Sequence, residues 1–193
     1  MKIGIDLDGV VFDSETIFRV YEEIFAIENL NNRPIINLEE PKYQGRYNWS
    51  NEEQNEFNKQ YLLKGAIESN LMPGFKIIFD KLKKQGHEFI VITARGGFFD
   101  EMIDIAKELL EKNNIKFDKY YWKIYNKLEI CKNENIDIMI DDDYNNIEQL
   151  VNGGIKTLYF RDTNMKKLPE SKLIHEVNNW GDIYRYFYNL NNF

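Results

Sequence analysis

Cysteine is nearly absent from this chain: among 193 residues there is one, Cys131. No internal disulfide can form, and no cysteine-rich metal cluster can be built. Histidine occurs only twice, as His87 and His175, neither with a partner nearby in sequence, so both read as structural or surface residues. No apolar run reaches membrane-spanning length, and Met1 leads straight into a predicted strand without a signal-peptide pattern; a cytoplasmic protein with no membrane partner is expected. Positive charge is in deficit, 25 Lys and Arg against 32 Asp and Glu, for a net charge of −7. That balance argues against a sequence-independent grip on a nucleic-acid polymer or an anionic membrane.

What is present suffices for a well-packed enzyme-sized core. Hydrophobic residues make up 43% of the chain, aromatics 15% and charged residues 30%. The length fits one compact α/β core carrying an insertion and is too short for two full domains.

The most informative stretch runs from Ile3 to Asp13. Ile3 to Ile5 is a short apolar run, as expected of the central strand of a buried parallel sheet. It ends on Asp6 and Asp8, one residue apart, followed by Gly9. Two carboxylates at the mouth of a buried strand repel each other and are costly to desolvate unless a cation or proton sits between them. Gly9 lets the backbone come close to whatever occupies the site.

Ser14 is placed to cap a helix reaching about residue 28, Asp13 caps or flanks the same helix, and Ile17, Val20, Ile24 and Phe25 lie on one face. Residues 29 to 49, with Pro34 and Pro41, read as a loop-rich connection. Ser50 and Glu53 form a capping box opening a helix that stops near Gly65. After Pro73-Gly74 a helix runs from Phe75 to Gln85, closed by Gly86. Strands then follow at Glu88 to Thr93, around Tyr120 to Lys123, at Ile136 to Ile140 and at Ile155 to Phe160, the last completing the sheet. Helices lie between them at Phe99 to Asn113, Leu128 to Glu134 and Tyr144 to Val151, and a terminal helix spans Trp180 to Leu190.

This alternation predicts a doubly wound parallel α/β sheet of Rossmann-like form. The core is residues 1–13 and 73–193, and residues 14–72 form a small helical cap inserted after the first strand. In such sheets the site lies outside the carboxyl ends of the strands. Asp6 and Asp8, Thr93, and Asp141 to Asp143 all fall at such ends. Clustered carboxylates without histidine or cysteine make an oxygen-rich site for a hard cation, most naturally Mg²⁺. A bound cation would also accept phosphate oxygens. Thr93 can donate to a phosphoryl oxygen, backbone amides beside Gly9 and Gly96 can add more, and Lys127 starts a helix between strands near the same edge. Lys123 and Lys132 compete with it for that role.

In order and spacing, Asp6-Leu7-Asp8-Gly9-Val10, then Ile92-Thr93, then Lys127, then Ile140-Asp141-Asp142 resemble the four motifs of the haloacid dehalogenase-like hydrolase superfamily. The resemblance covers residues 3 to about 150. The segment from Lys127 to Asp143, and Val177 to Trp180 ahead of the last helix, resemble its 5'(3')-deoxyribonucleotidase-type branch. The resemblance implies that Asp6 attacks phosphorus to form an aspartyl-phosphate and that Asp8 serves as acid and then base. It implies Mg²⁺ held by Asp6, the Asp8 carbonyl and one or both of Asp141 and Asp142, with Thr93 and Lys127 on the phosphoryl oxygens. The implied substrate is a small phosphomonoester, a nucleoside monophosphate above all. A homodimer is left open.

Two positions depart from the pattern. Three aspartates stand where the ligand is expected, so Asp141 and Asp142 both qualify and Asp143 reads as a cap of the next helix. Arg95 follows Thr93-Ala94, where it either grips a phosphate or pairs with a surface carboxylate. The insertion is rich in aromatics (Phe18, Tyr21, Phe25, Tyr43, Tyr47, Trp49, Phe57 and Tyr61), mostly expected to form its own core. Arg46, Tyr47 and Trp49 are the candidates for substrate contact from that side. The competing enzyme reading is a phosphatase for a sugar phosphate or other small phosphomonoester. The non-enzyme alternative is a receiver-like phospho-aspartate regulatory domain, which Asp6-x-Asp8-Gly9 and the insertion both disfavour.

Overall fold

A computed structural model of the chain describes residues 1–40, 43–161 and 165–191, with the side chains of residues 43, 44 and 191 outside the description. Pro41 and the ring of Tyr43, both named above, therefore lie outside the described residues.

A six-stranded sheet forms in the order β3-β2-β1-β4-β5-β6, from β1 (Lys2–Ile5), β2 (Glu88–Ile92), β3 (Lys119–Tyr121), β4 (Ile138–Asp141), β5 (Lys156–Phe160) and β6 (Ile174–Val177). Every pairing is parallel. Side chains alternate faces along a strand, and both faces are covered. Phe89 and Val91 of β2 and Ile138 and Ile140 of β4 enter one core cluster, whereas Ile90, Ile92 and Met139 enter another. The first cluster takes Phe75, Ile78 and Leu82 from α5 (Phe75–Lys84), Ala106 and Leu110 from α6 (Glu101–Lys112), and Trp180 and Ile183 from α9 (Trp180–Asn191). The second takes Cys131 from α7 (Lys127–Asn133) and Leu150 from α8 (Tyr144–Asn152). This is the doubly wound sheet expected. Strands buried on both sides explain why these segments are continuous apolar runs.

The register positions the site. Ile5 pairs with Val91 on one side and with Ile140 on the other, so the three central strands end level. The next residues along β1 and β4 are Asp6 and Asp141, and the Asp6 amide donates to Ile140 O at 3.0 Å.

Between β1 and α5 the chain is helical: α1 (Ser14–Asn29), α2 (Tyr43–Tyr47), α3 (Asn51–Phe57), a π-helical turn Asn58–Leu62, and α4 (Leu63–Glu68). The two ends of this insertion are tied together. Phe12 bridges Leu71, the Asp13 amide donates to Asn70 O at 2.8 Å, and the Met72 amide donates to Val11 O at 2.7 Å. The Ser50–Glu53 capping box is present.

Several local expectations are corrected. Asp13, not Ser14, occupies the N-cap position of α1; the Ser14 hydroxyl instead accepts from the Gly9 amide at 3.2 Å. The buried face of α1 is Ser14, Glu22, Phe25 and Ala26, and Val20 is exposed. Gly65 does not end its helix, which continues to Glu68; it makes room for Phe18, whose ring a Cβ at Gly65 would meet at 2.3 Å. The supposed loop of residues 29–49 contains α2. Strand β6 had no apolar signal, because only Val177 of its four residues is fully buried. Among the described residues no helix is long and apolar enough to cross a membrane.

Candidate active site

Four carboxylates, one lysine and one arginine converge where β1, β2 and β4 end. Asp6 is buried, and its Oδ1 accepts from the Leu7 amide at 2.8 Å. Lys127, the first residue of α7 and fully buried, reaches Asp6 Oδ2 at 2.7 Å and Asp141 Oδ2 at 2.6 Å. Asp141 is held from its other side by the Asp143 amide at 3.0 Å and by Asn146 Nδ2 at 3.1 Å. Asp143 turns away to cap α8, accepting from the Asn145 amide at 2.9 Å, as its place in the sequence suggested. Asn146 was missed by sequence reading, because only the first turn of α8 brings it back onto Asp141.

Carboxylate oxygens of Asp6, Asp141 and Asp142 all lie within 4.8 Å of one another. Burial pushes the Asp6 carboxyl up to about 6, against the pull of Lys127 and with Asp141 and Asp8 adding repulsion. Burial, then the charges of Asp141 and Asp6, raises Asp142 well above the usual carboxylate range. Burial alone would lower Lys127, but Asp141 and Asp6 outweigh it and hold the ammonium protonated above its ordinary value. Three crowded, desolvated oxygen donors are electrostatically unfavourable alone and suit a hard divalent cation. The residues therefore fit the Mg²⁺ site the family resemblance implies.

Gly9 has φ +70°, and a Cβ there would lie 2.0 Å from Asp142 Oδ2. The loop it sits in is closed by amides of Val11 and Phe12 donating to Leu7 O at 2.9 and 2.8 Å. Asp8 leaves that loop toward Arg95. Its Oδ2 and Oδ1 receive Arg95 Nε at 3.1 Å and Arg95 Nη2 at 2.9 Å. Thr93 is buried directly after β2, and its hydroxyl accepts from the Arg95 amide at 3.2 Å. Arg95 does pair with a carboxylate, though within the site rather than at the surface. A cavity of about 390 Å³ opens beside Asp8 and Arg95, walled on the far side by Phe18, Glu22, Asn58 and Leu62 of the insertion.

Arg46, Tyr47 and Trp49 are not brought to this cavity, which corrects their expected exposure over the site. Tyr47 and Trp49 are buried in the insertion's aromatic cluster with Phe25, Phe57 and Tyr61, their rings stacked 5.0 Å apart. Arg46 is buried too, paired with Glu22 and 3.6 Å from Glu15. An insertion this small needs its large rings to make a core of its own.

The fold has counterparts among solved structures. The chain aligns with a haloacid dehalogenase-like family hydrolase from Streptococcus pneumoniae at a TM-score of 0.69 and 16% identity, covering 96% of this chain and 97% of that one. It aligns with a predicted phosphatase from Clostridium acetobutylicum at a TM-score of 0.67 and 18% identity, covering 97% and 98%. The fold is that of these haloacid dehalogenase-like hydrolases. No family model matches the sequence. Among individual proteins it is similar to YqfW of Bacillus subtilis, whose name proposes a nucleotidase, with 26% identity over 189 residues, 93% of this chain and 90% of that protein. It is also similar to a Clostridium acetobutylicum protein named as a nucleotidase, with 29% identity over 134 residues, 69% of this chain and 67% of that one.

Proposed function

We propose that this protein is a Mg²⁺-dependent phosphomonoester hydrolase that works through an aspartyl-phosphate on Asp6, with nucleoside monophosphates as its substrates. The observation that carries this reading is the division of labour between two carboxylates two residues apart. Asp6 is buried in the cation-binding cluster against Lys127. Asp8 points instead to the cavity under the insertion.

An Oδ of Asp6 attacks phosphorus as the bond from phosphorus to the ester oxygen breaks, and that oxygen leaves with a proton from Asp8. Water then attacks the phosphoryl group, giving its proton to Asp8, and the bond to Asp6 breaks to release phosphate. Splitting one difficult displacement in two is the gain from the nucleophile. Lys127 and Thr93 hold the phosphoryl oxygens and offset charge as it develops. Asp6, Asp141 and Asp142, with the Asp8 carbonyl, would hold the cation, which supplies charge neutralisation for the incoming phosphate. Residues 14–72 serve as a cap, hinged at the paired ends near residues 11–13 and 70–72, that keeps bulk water from the cavity.

The nucleotide assignment rests on the names of the two relatives. It is tested by phosphate release from 5'- and 3'-nucleoside monophosphates and sugar phosphates, with Mg²⁺ and with EDTA, beside Asp6→Asn. Mg²⁺-dependent release from nucleotides, lost in the variant, is expected. Release confined to sugar phosphates would transfer the reading to that substrate class. Absence of release from every ester would overturn the hydrolase assignment.

A further inference from the structure

The reaction described above leaves Arg95 without a task, yet it is buried and bonded within the site. Its side chain is fully buried, whereas that of Asp8 is 32% exposed. Nε and Nη2 meet the two oxygens of Asp8 in a fork, and the guanidinium lies 4.8 Å from the ring centre of Phe12, on the same loop as Asp8. Its own amide is bonded to the Thr93 hydroxyl. The remaining nitrogen, Nη1, is buried without a partner. An unsatisfied buried donor is costly, so packing and the fork with Asp8 must hold the guanidinium there.

A carboxylate at the rim of a cavity would otherwise sample several rotamers. A planar two-bond fork fixes both its position and the plane of its oxygens, which a lysine cannot do. We infer that Arg95 is a positioning residue for proton transfer. It holds Asp8 where one oxygen can reach the leaving oxygen and then the attacking water. This rests on the hydrolase reading and adds to it a residue with no direct contact with phosphate. A phosphate grip through Nη1 is the competing role, and weakened inhibition by inorganic phosphate on substitution is what that role alone predicts; Nε and Nη2 are committed to Asp8.

The test compares two leaving groups on one scaffold: the best ester of the substrate panel and its analogue with sulfur at the bridging position, which departs as a thiolate without needing a proton. kcat/KM reports only the first phosphoryl transfer, so its dependence on Asp8 differs between the two. In Arg95→Gln, kcat/KM for the oxygen ester is expected to fall on the order of 10²-fold, the scale of a misplaced general acid, and for the sulfur analogue to remain nearly unchanged. kcat should fall for both, since hydrolysis of the intermediate still needs Asp8 as base. Arg95→Lys should lie between, and in an Asp8→Ala background Arg95→Gln should cause no further loss. Equal falls in kcat/KM for the two esters, or a raised KM with weakened inhibition by inorganic phosphate, would overturn the inference while leaving the hydrolase reading intact. Should Arg95→Gln fail to fold, the same comparison is made with Arg95→Lys. Wild-type protein inert toward every ester would sink both.

Discussion

A Cβ on Gly9 would lie 2.0 Å from Asp142 Oδ2, so the loop after β1 and the loop after β4 touch where no side chain other than hydrogen fits. Gly9→Ala adds this clash to a strained φ of +70°. It is expected to abolish Mg²⁺ binding by calorimetry and phosphate release together. Gly86→Ala separates the two causes: Gly86 has φ +83° with open space around its Cβ position. That variant should lose about 1–2 kcal/mol of stability and keep its activity.

Lys127 supplies the positive charge between Asp6 and Asp141. Lys127→Met leaves buried carboxylates without it, a change that typically costs about 3–5 kcal/mol. Thermal melting in EDTA should show the full loss. Saturating Mg²⁺ should restore part of the stability but not the rate, because the cation relieves the repulsion without replacing the donor to the phosphoryl oxygens.

His87 is buried with its ring 5.2 Å from that of Phe187 and its Nδ1 without a partner. Burial first, and the charge of the amino terminus second, lower its pKa from the ordinary 6.5. The unfolded chain then binds this proton more readily than the folded one. The contribution to stability is complete above pH 6.5 and is lost as pH falls through the lowered value. Glu22 acts in the opposite sense: burial pushes it up to about 8, so its contribution is present below its ordinary range and lost as pH rises through 8. Wild type and His87→Gln should therefore be compared by denaturant unfolding across the same pH series. The variant is expected to lose less stability on acidification below 6.5; identical pH dependence would rule out His87 as its source.

Trp180 Nε1 donates to Val10 O at 2.9 Å across 170 positions of sequence. The last helix thus holds the loop that carries Asp8 and Gly9. Trp180→Phe leaves a buried carbonyl unpaired and should cost about 1 to 3 kcal/mol, read as a lower denaturant midpoint at unchanged slope.

The sequence by itself determined the first five strands of the sheet and the edge on which the site lies. Continuous apolar runs such as Phe89–Ile92 and Ile138–Ile140 mark strands buried on both faces, and a parallel sheet must place the residues that follow its strands on one edge. Asp6, Thr93 and Asp141 were legible for that reason, and Gly9 because a backbone that approaches a site closely needs a residue without a side chain. Tertiary structure alone decided the rest. An arginine after Thr93 has the same local sequence whether it faces phosphate, solvent or Asp8; packing over Phe12 selects Asp8. Tyr47 and Trp49 are equally suited to a flat substrate or to each other, and the insertion's need for a core of its own decides between them. Asn146 and Ser14 reach Asp141 and Gly9 only because a helix turn and a loop closure bring them there, contacts that no periodicity along the chain encodes.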